Sequence, residues 1–557
     1  MSRRERKKKE KGVQDVPLRR IKVLGIAGLV IWITLAGRLF YIQVLSHEDL
    51  ALASASQYQV IVEGMDTRGI ILDRNFNPLT GGTDQYYYFI AKEREDSSSD
   101  SLLAAISAKE ISDGESRYRV YRSQLFDETV NDTLKEEYGA YVYCCPSRYS
   151  DEQIACHLIG YLNQAEKKGV AGLELLCEEE LKADDSRLAL WADGQGNLLL
   201  GISPKRENNG EITDHSVITT IDRSIQAICE AALEKQQLNG AVLVSEAESG
   251  EILAWASSPT FNPNSIEDYL QSDGDDLVNK CIQGGYSPGS VFKIVVAAAA
   301  LEEGICDPEE TFFCEGTITV EGVELGCTSG PEDGHGEVDL YEAMAQSCNC
   351  YFAALGDRLG YEALLEMAAK MGFGEKALGL FSEENEGNLP SIGETGQWDI
   401  SNLSIGQGDI LVTPMQIQRM MSIVANDGID VGLRIFSAEL GNTVVNQEKN
   451  DSGQRIFSSG TADCLKKMLA KVMEEGTGSG FSWPCPVYGK TGTAEATEQG
   501  EDVKNCWFSG YCRVNQRNYV VTVLAEDGQS GSATALPVFS AITEYLNDRN
   551  YSLYPSS

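Results

Sequence analysis

The sequence predicts an α+β fold, an antiparallel sheet flanked by helices with an all-helical subregion between its early and late strands. Three observations predict it. Two apolar runs, Gly240–Ser245 and Glu251–Ala256, flank a Glu248-Ser-Gly250 turn and read as a hairpin. Two further strand-like runs, Cys506–Arg513 and Tyr519–Glu526, come nearly at the end of the chain. Helical spacing appears before the first pair, over Asp222–Gln237 with Asp222 as N-cap, and after the second, over Pro537–Leu546. A single transmembrane helix and a mixed α/β segment are expected to precede this domain.

The N-terminal element is read from charge and hydropathy. Residues 1–22 hold ten Lys/Arg against three Asp/Glu, or +7, so the remainder carries −45 of the total −38. An acidic body lacks the basic face that nucleic-acid binding needs. The basic head instead abuts an uncharged run, Val23–Gly37, followed by Arg38 and Leu39–Leu45. The run is short for a hydrocarbon core of about 30 Å, and extending it to Leu45 with Arg38 snorkelling makes the length sufficient. A cleaved signal peptide fits less well, because the small-residue sites at Ala51–Ala55 lie far from the apolar run. Residues 23–45 are therefore expected to anchor the chain in the cell membrane. The 1–22 tail is expected in the cytoplasm and the body outside.

From 46 to 205 short β-type runs alternate with polar turns: Gln59–Val62, Ile70–Leu72 and Tyr86–Ile90. Glu93–Asp100 reads as a polar loop and Ala104–Lys135 mainly as helix. No catalytic constellation falls here, so a spacer or partner-binding role is expected. The composition changes at Val217–Ile221, and 210–557 forms the second expected domain.

Its chemistry begins at Tyr286-Ser-Pro-Gly-Ser290-Val-Phe-Lys293. The Ala-rich run to Leu301 is apolar on every face and reads as a buried helix, entered at Pro288-Gly289 and stopped at Gly304. Ser290 and Lys293, at i and i+3, share one face. A Lys among apolar walls loses proton affinity and can serve as a base. A lone Ser-x-x-Lys occurs by chance in a chain this long. Here Ser347-Cys348-Asn349 follows 57 residues after Ser290, and Lys490-Thr491-Gly492-Thr493 begins 143 residues after Ser347. The ordered triple is specific where each part is weak.

The chain has fifteen cysteines and four histidines, His47, His157, His215 and His335. No Cys-x-x-Cys occurs and the histidines lack metal-ligand spacing, so neither metal nor cofactor is expected. Cys314 and Cys327 bracket a short strand-like stretch and are candidates for a disulfide. Cys348 reads as packing rather than chemistry.

With these motifs the sequence, from about residue 40 onward, resembles the class B penicillin-binding proteins, peptidoglycan D,D-transpeptidases. Further shared segments are Arg68-Gly69 with Asp73-Arg74-Asn75, His157–Gly160 with Gly172-Leu-Glu174, Thr220-Ile-Asp222, Ser404–Gly408 with Thr413-Pro414, and Trp507-Phe508. Phe76 departs from the pattern, which has Gly there. The resemblance implies a penicillin-binding transpeptidase fold on an elongated pedestal.

It also implies a mechanism. Ser290 would attack the penultimate D-Ala of a stem peptide, Lys293 would take its proton, and Ser347 would relay a proton to the leaving amine. Asn349 would hold the substrate amide and Lys293. Lys490 would supply positive potential, Thr491 and Thr493 would bind the substrate carboxylate, and Gly492 would leave room beside the strand. The N–H groups of Ser290 and Thr493 would form the oxyanion hole. The implied partners are peptidoglycan stem peptides and a SEDS-family glycosyltransferase. A β-lactamase would need a further base for deacylation, a β-lactam sensor an output region, and a non-catalytic scaffold could dispense with Ser290 or Lys490.

Overall fold

The computed structural model describes residues 3–41, 59–62, 68–81, 84–111, 117–150, 152–163, 168–182, 187–191, 205–207, 216–272, 274–330, 332–390, 400–436, 453–498 and 501–553. Helix α1 (Arg3–Phe40) contains one apolar stretch, Lys22–Phe40, long enough to cross a membrane. Every described apolar side chain from Val23 to Tyr41 is solvent-exposed, as a span facing lipid requires. The expected extension to Leu45 lies outside the described residues.

A small sheet follows, ordered Lys109–Glu110, β2 (Tyr118–Ser123), β1 (Asp84–Ala91), β3 (Tyr141–Pro146). Alternation along β1 sends Tyr88 and Ile90 to one side, against the helices Ser97–Ala105 and Glu128–Tyr138. Tyr87 and Phe89 face the other side, with Tyr118 and Val120. Two sequence expectations fail here. The Glu93–Asp100 stretch already holds the start of a helix, because Asp96 caps it through a reciprocal capping box with Ser99. The helix expected over Ala104–Lys135 is interrupted by β2, whose Tyr118, Val120 and Tyr121 pack into the two small cores and override local propensity.

The main sheet has five antiparallel strands in the order β5 (Ile252–Ser258), β4 (Gly240–Glu246), β8 (Arg517–Ala525), β7 (Glu501–Val514), β6 (Val487–Glu498). Both expected strand pairs are therefore present, and the third motif supplies the edge strand β6. β4 is buried along its whole length, so both faces are covered. Helix α2 (Arg223–Gln236) is capped by Asp222, whose carboxylate accepts from Ser224 and Ile225 N–H. It packs with α7 (Leu536–Leu553), which runs beyond the expected Pro537–Leu546. Helix α5 (Pro414–Ala425) packs on β4, β7 and β8, and α6 (Ser459–Glu474) on β6.

Motifs distant in sequence tie the leading segment to this body. Ile71–Leu72 pairs in parallel with Val217–Ile218, and Asn75 Nδ2 donates to Asp222 at 3.3 Å. Glu174, fully buried, accepts from Arg68 Nε and Arg148 Nε at 2.6 Å each and from Tyr149 OH at 2.9 Å. Ile71, Leu158 and Leu173 belong to the same apolar core as the main sheet. That core crosses the boundary drawn near 205–210 in sequence.

Candidate active site

The Ser290 segment is built by backbone constraint. Gly289, at φ +54, accepts a left-handed conformation that a Cβ would contest, since that atom would lie 2.9 Å from Thr493 O. Its N–H donates to Gly406 O at 2.8 Å, seating the loop on the Ser404–Gly408 segment. A 3₁₀ turn, Gly289–Phe292, then leads into α3 (Lys293–Glu302), in which Lys293 through Ala300 are all buried. Ser290 stays partly exposed at the mouth. Trp507 Nε1 donates to Ser287 O at 3.0 Å, and Tyr286 OH donates to Glu526 at 2.7 Å. Those anchors come from the late strands, and sequence reading had not assigned them.

The second motif sits at a helix start. Cys348 caps α4 (Asn349–Leu359), its sulfur accepting from Tyr351 N–H. Ser347 just before it has φ +58, a left-handed conformation costing about 1–2 kcal/mol for a residue with a Cβ. The strain is repaid in geometry, because both oxygens of Ser347 then face the Lys293 amine. Lys293 Nζ donates to Ser347 O at 2.7 Å, Ser347 Oγ at 3.1 Å and Asn349 Oδ1 at 2.7 Å. Ser347 Oγ donates in turn to Ser290 Oγ at 2.9 Å. Burial pulls the Lys293 pKa down to about 7, while the thiols of Cys348, Cys327 and Cys350 act in the opposite sense.

The third motif brings Lys490 to the same place from β6. Lys490 is 0% exposed, and its Nζ donates to Thr491 O at 3.1 Å. Burial, followed by the Lys293 charge, depresses its pKa well below the ordinary lysine value. This is a buried amine rather than a cleft-lining one. Gly492 explains the close approach of β6 to Ser290: a Cβ there would lie 3.0 Å from Val291 Cγ2 and 3.3 Å from Pro288 O. The two threonines differ. Thr493 is exposed, with its Oγ1 accepting from Gly531 N–H at 3.2 Å. Thr491 is 6% exposed and its Oγ1 lies 2.6 Å from Thr477 Oγ1.

The structure thus joins Ser290, Lys293, Ser347 and Asn349 through hydrogen bonds and brings the third motif on β6 against the Gly289–Phe292 turn, with Lys490 itself buried. A wider resemblance accompanies this grouping. The family model described as the penicillin binding protein transpeptidase domain matches residues 240–544, more than half of the chain. The chain belongs to this family. Among relatives, the peptidoglycan D,D-transpeptidase MrdA of Acinetobacter baumannii is 25% identical, over 94% of this chain and 88% of its own. Stage V sporulation protein D of Bacillus subtilis is 27% identical, over 95% and 86%. A solved structure titled "Structural coordination of polymerization and crosslinking by a peptidoglycan synthase complex" aligns with TM-score 0.69 and 26% identity, over 94% of this chain and 97% of that one. The chain is accordingly a class B penicillin-binding protein, a serine-type D,D-transpeptidase of cell-wall cross-linking in elongation, division or sporulation.

The cysteines of this penicillin-binding protein depart from expectation. Cys314 and Cys327 are both free, not joined. Cys327 Sγ lies instead 3.6 Å from Cys348 Sγ and 3.3 Å from His335 Nδ1. Hydrogen bonds from the Cys348 and Cys350 thiols hold the Cys327 thiol below its ordinary pKa. The fold collects Cys314, Cys327, His335 and Cys348 from separate segments, a juxtaposition that spacing along the chain does not show.

Proposed function

We propose that Ser290 is the acylated nucleophile and that Lys293 activates it through Ser347. The hydrogen-bond chain from Lys293 Nζ through Ser347 Oγ to Ser290 Oγ carries this reading. The amine gives its three N–H groups to three oxygens, the arrangement of an ammonium. With one proton fewer it accepts from Ser347, which accepts from Ser290, leaving the Ser290 oxygen free to attack a carbonyl. The same chain run backwards delivers the proton to the leaving amine. Asn349 Nδ2, which donates to Gly326 O at 3.2 Å, and its Oδ1 on Lys293 fix the amide beside the cleft, where it would meet the substrate backbone.

On this reading the donor is a stem peptide ending in D-Ala-D-Ala. The exposed Thr493 hydroxyl contacts its terminal carboxylate, supported by Thr491 and the Lys490 potential. The Ser290 and Thr493 N–H groups hold the oxyanion, typically contributing about 3 kcal/mol per donor. An amine from a second stem peptide then accepts the acyl group. The basic head and apolar helix support a cytoplasmic N-terminus with the catalytic body outside. The solved peptidoglycan synthase complex, whose title couples polymerization to crosslinking, supports a polymerising partner, which on this reading is a SEDS-family glycosyltransferase docked on the anchor and the leading segment.

A fluorescent penicillin tests the assignment. It should label the full chain covalently and remain for many minutes, and Ser290→Ala should abolish the label. Hydrolysis of the penicillin within seconds, with no persistent adduct, would make the protein a β-lactamase.

A further inference from the structure

The residues that follow β8 reach both halves of the catalytic cleft. Glu526 comes directly after Ala525, the last residue of that strand. Ala525 pairs with Cys506 of β7, and Cys506 pairs in turn with Thr493 of β6. Glu526 N–H donates to Asn239 O at 2.9 Å, which ties its backbone to the start of β4. Further along the same turn, Gly531 N–H donates to Thr493 Oγ1 at 3.2 Å. A Cβ on Gly531 would lie 2.4 Å from both Gly492 O and Trp507 O, so the turn presses on the third motif itself.

The Glu526 side chain reaches the Ser290 segment. Its Oε1 accepts from Tyr286 OH at 2.7 Å, and its Oε2 accepts from Lys280 Nζ. Lys280 is 1% exposed, and its own N–H donates at 3.1 Å to the hydroxyl of Ser257 on β5. The sheet thus holds the ammonium, the ammonium the carboxylate, and the carboxylate the phenol. Neutralising Lys280 does not require Tyr286, because Asp275 pairs with the same ammonium. Burial, followed by the Glu526 charge, pushes the Tyr286 pKa up, so the phenol stays a donor.

Tyr286 is the near end of the segment that carries Ser290. Its backbone exchanges hydrogen bonds with Val412 at 2.9 and 2.8 Å, and its ring meets Trp507 edge-on with centroids 6.1 Å apart. Trp507 lies opposite Gly492 across the β6–β7 pair. The Ser290 turn and the Thr493 edge strand are separate elements, so their spacing depends on the ties between them. An oxyanion is well held only by donors within about 2.7–3.1 Å, and a misplacement of about 1 Å can cost a hundredfold in rate.

We propose that Glu526 is a positioning residue for acyl transfer: through Tyr286 it sets the Ser290 turn against the Thr493 backbone and so fixes the spacing of the two oxyanion donors. This rests on the assignment of Ser290 as nucleophile and of the Ser290 and Thr493 N–H groups as the oxyanion hole. The two carboxylate oxygens receive two donors of different origin. A glutamine would have to turn its NH₂ toward one of them, so it does not replace the carboxylate here.

Stopped-flow acylation of the full chain in detergent, over a range of penicillin concentrations, separates the non-covalent Kd from the acylation rate constant. Tyr286→Phe keeps the ring and removes the hydroxyl; it should lower the rate constant by roughly tenfold or more and change Kd less than about twofold. Glu526→Gln should do the same. The double variant should be no slower than the slower single variant, since both act through one bond. The pH midpoint of acylation should not move, because Lys293 and its partners are untouched. Should Glu526→Gln fail to fold, Tyr286→Phe decides alone. Tyr286→Phe acylating at the unaltered rate would overturn the proposal. So would a rate that falls only in step with Kd and the melting midpoint, the mark of a merely structural bond. Labelling of the unaltered chain at a residue other than Ser290 would instead overturn the nucleophile assignment, and it is read before any variant is made.

Discussion

Ser347 turns both its carbonyl and its hydroxyl toward Lys293, at 2.7 and 3.1 Å, and it does so by adopting φ +58. A residue in ordinary extended or helical backbone would present one of these oxygens at most. On the proposed mechanism, this relationship makes the amine's proton count the switch for acylation. With the Lys293 pKa near 7, the base is neutral above that pH and protonated below it. The rate constant for penicillin acylation should therefore fall as pH drops through about 7 and level off above it. Stability follows the same group: between about pH 7 and 10.5 the unfolded chain holds one more proton there, so its contribution to stability rises with pH across that window. Stopped-flow acylation from pH 5.5 to 8.5 checks the first point. A flat profile would exclude Lys293 as the base.

Lys490 separates catalysis from folding. Its amine is fully buried and donates to the Thr491 carbonyl, a neutral acceptor, so burial disfavours its charged form. Lys490→Met keeps most of the volume and removes the amine. The melting midpoint should stay level or rise. Acylation by penicillin should slow at least tenfold, a transition-state loss of about 1.4 kcal/mol or more. Unaltered acylation in the folded variant would remove Lys490 from the mechanism.

Much of this site was legible because its parts are local. Ser290 and Lys293 lie within one turn, and Ser347–Asn349 and Lys490–Thr493 are each contiguous, so motif and chemistry coincide in the chain. The two strand pairs followed from pattern and from turn chemistry around Glu248–Gly250, whereas the strand order and the place of the third motif at the sheet edge emerge only in the fold. What escaped depends on packing between remote segments. Tyr118–Ser123 reads locally as part of a helical stretch, and only its place between two small cores makes it a strand. The complete burial of Lys490 and the turning of Thr491 onto Thr477 depend on how β6 is covered. Cys314, Cys327, His335 and Cys348 are each ordinary in sequence, and four separate elements bring them together.

Phe76 shows the converse, a departure seen in sequence whose consequence the structure explains. It sits at φ +63 in the turn after Asp73-Arg74-Asn75, and its ring is 56% exposed. The left-handed conformation costs a non-glycine residue about 1–2 kcal/mol, partly offset by the extra freedom glycine has when unfolded. Phe76→Gly should raise stability by about 1 kcal/mol, read as a denaturation midpoint shift at constant slope. A loss of stability would mean the ring packs against something in the native assembly.

The last prediction concerns the joint between the leading segment and the catalytic body. Glu174 is 0% exposed and balances two guanidinium groups, Arg68 and Arg148, whose side chains are themselves nearly buried. Arg68 also reaches Glu178 at 2.6 Å, whereas Arg148 pairs with Glu174. Removing the carboxylate leaves Arg148 as a buried charge without a counter-ion, the situation that typically costs about 3–5 kcal/mol. Glu174→Ala should therefore lower unfolding stability by that amount. Glu174→Gln, which keeps acceptor geometry but not charge, should lose less. Because the hydrogen bonds of Glu174 go to Arg68, Arg148 and Tyr149 and not to the Lys293–Ser347–Ser290 chain, whatever fraction remains folded should acylate penicillin at the normal rate. Denaturant titration monitored by fluorescence, with penicillin labelling on the same samples, separates the two effects. A loss below about 1 kcal/mol in Glu174→Ala would show that water or a neighbouring carboxylate takes over the pairing, as at exposed ion pairs.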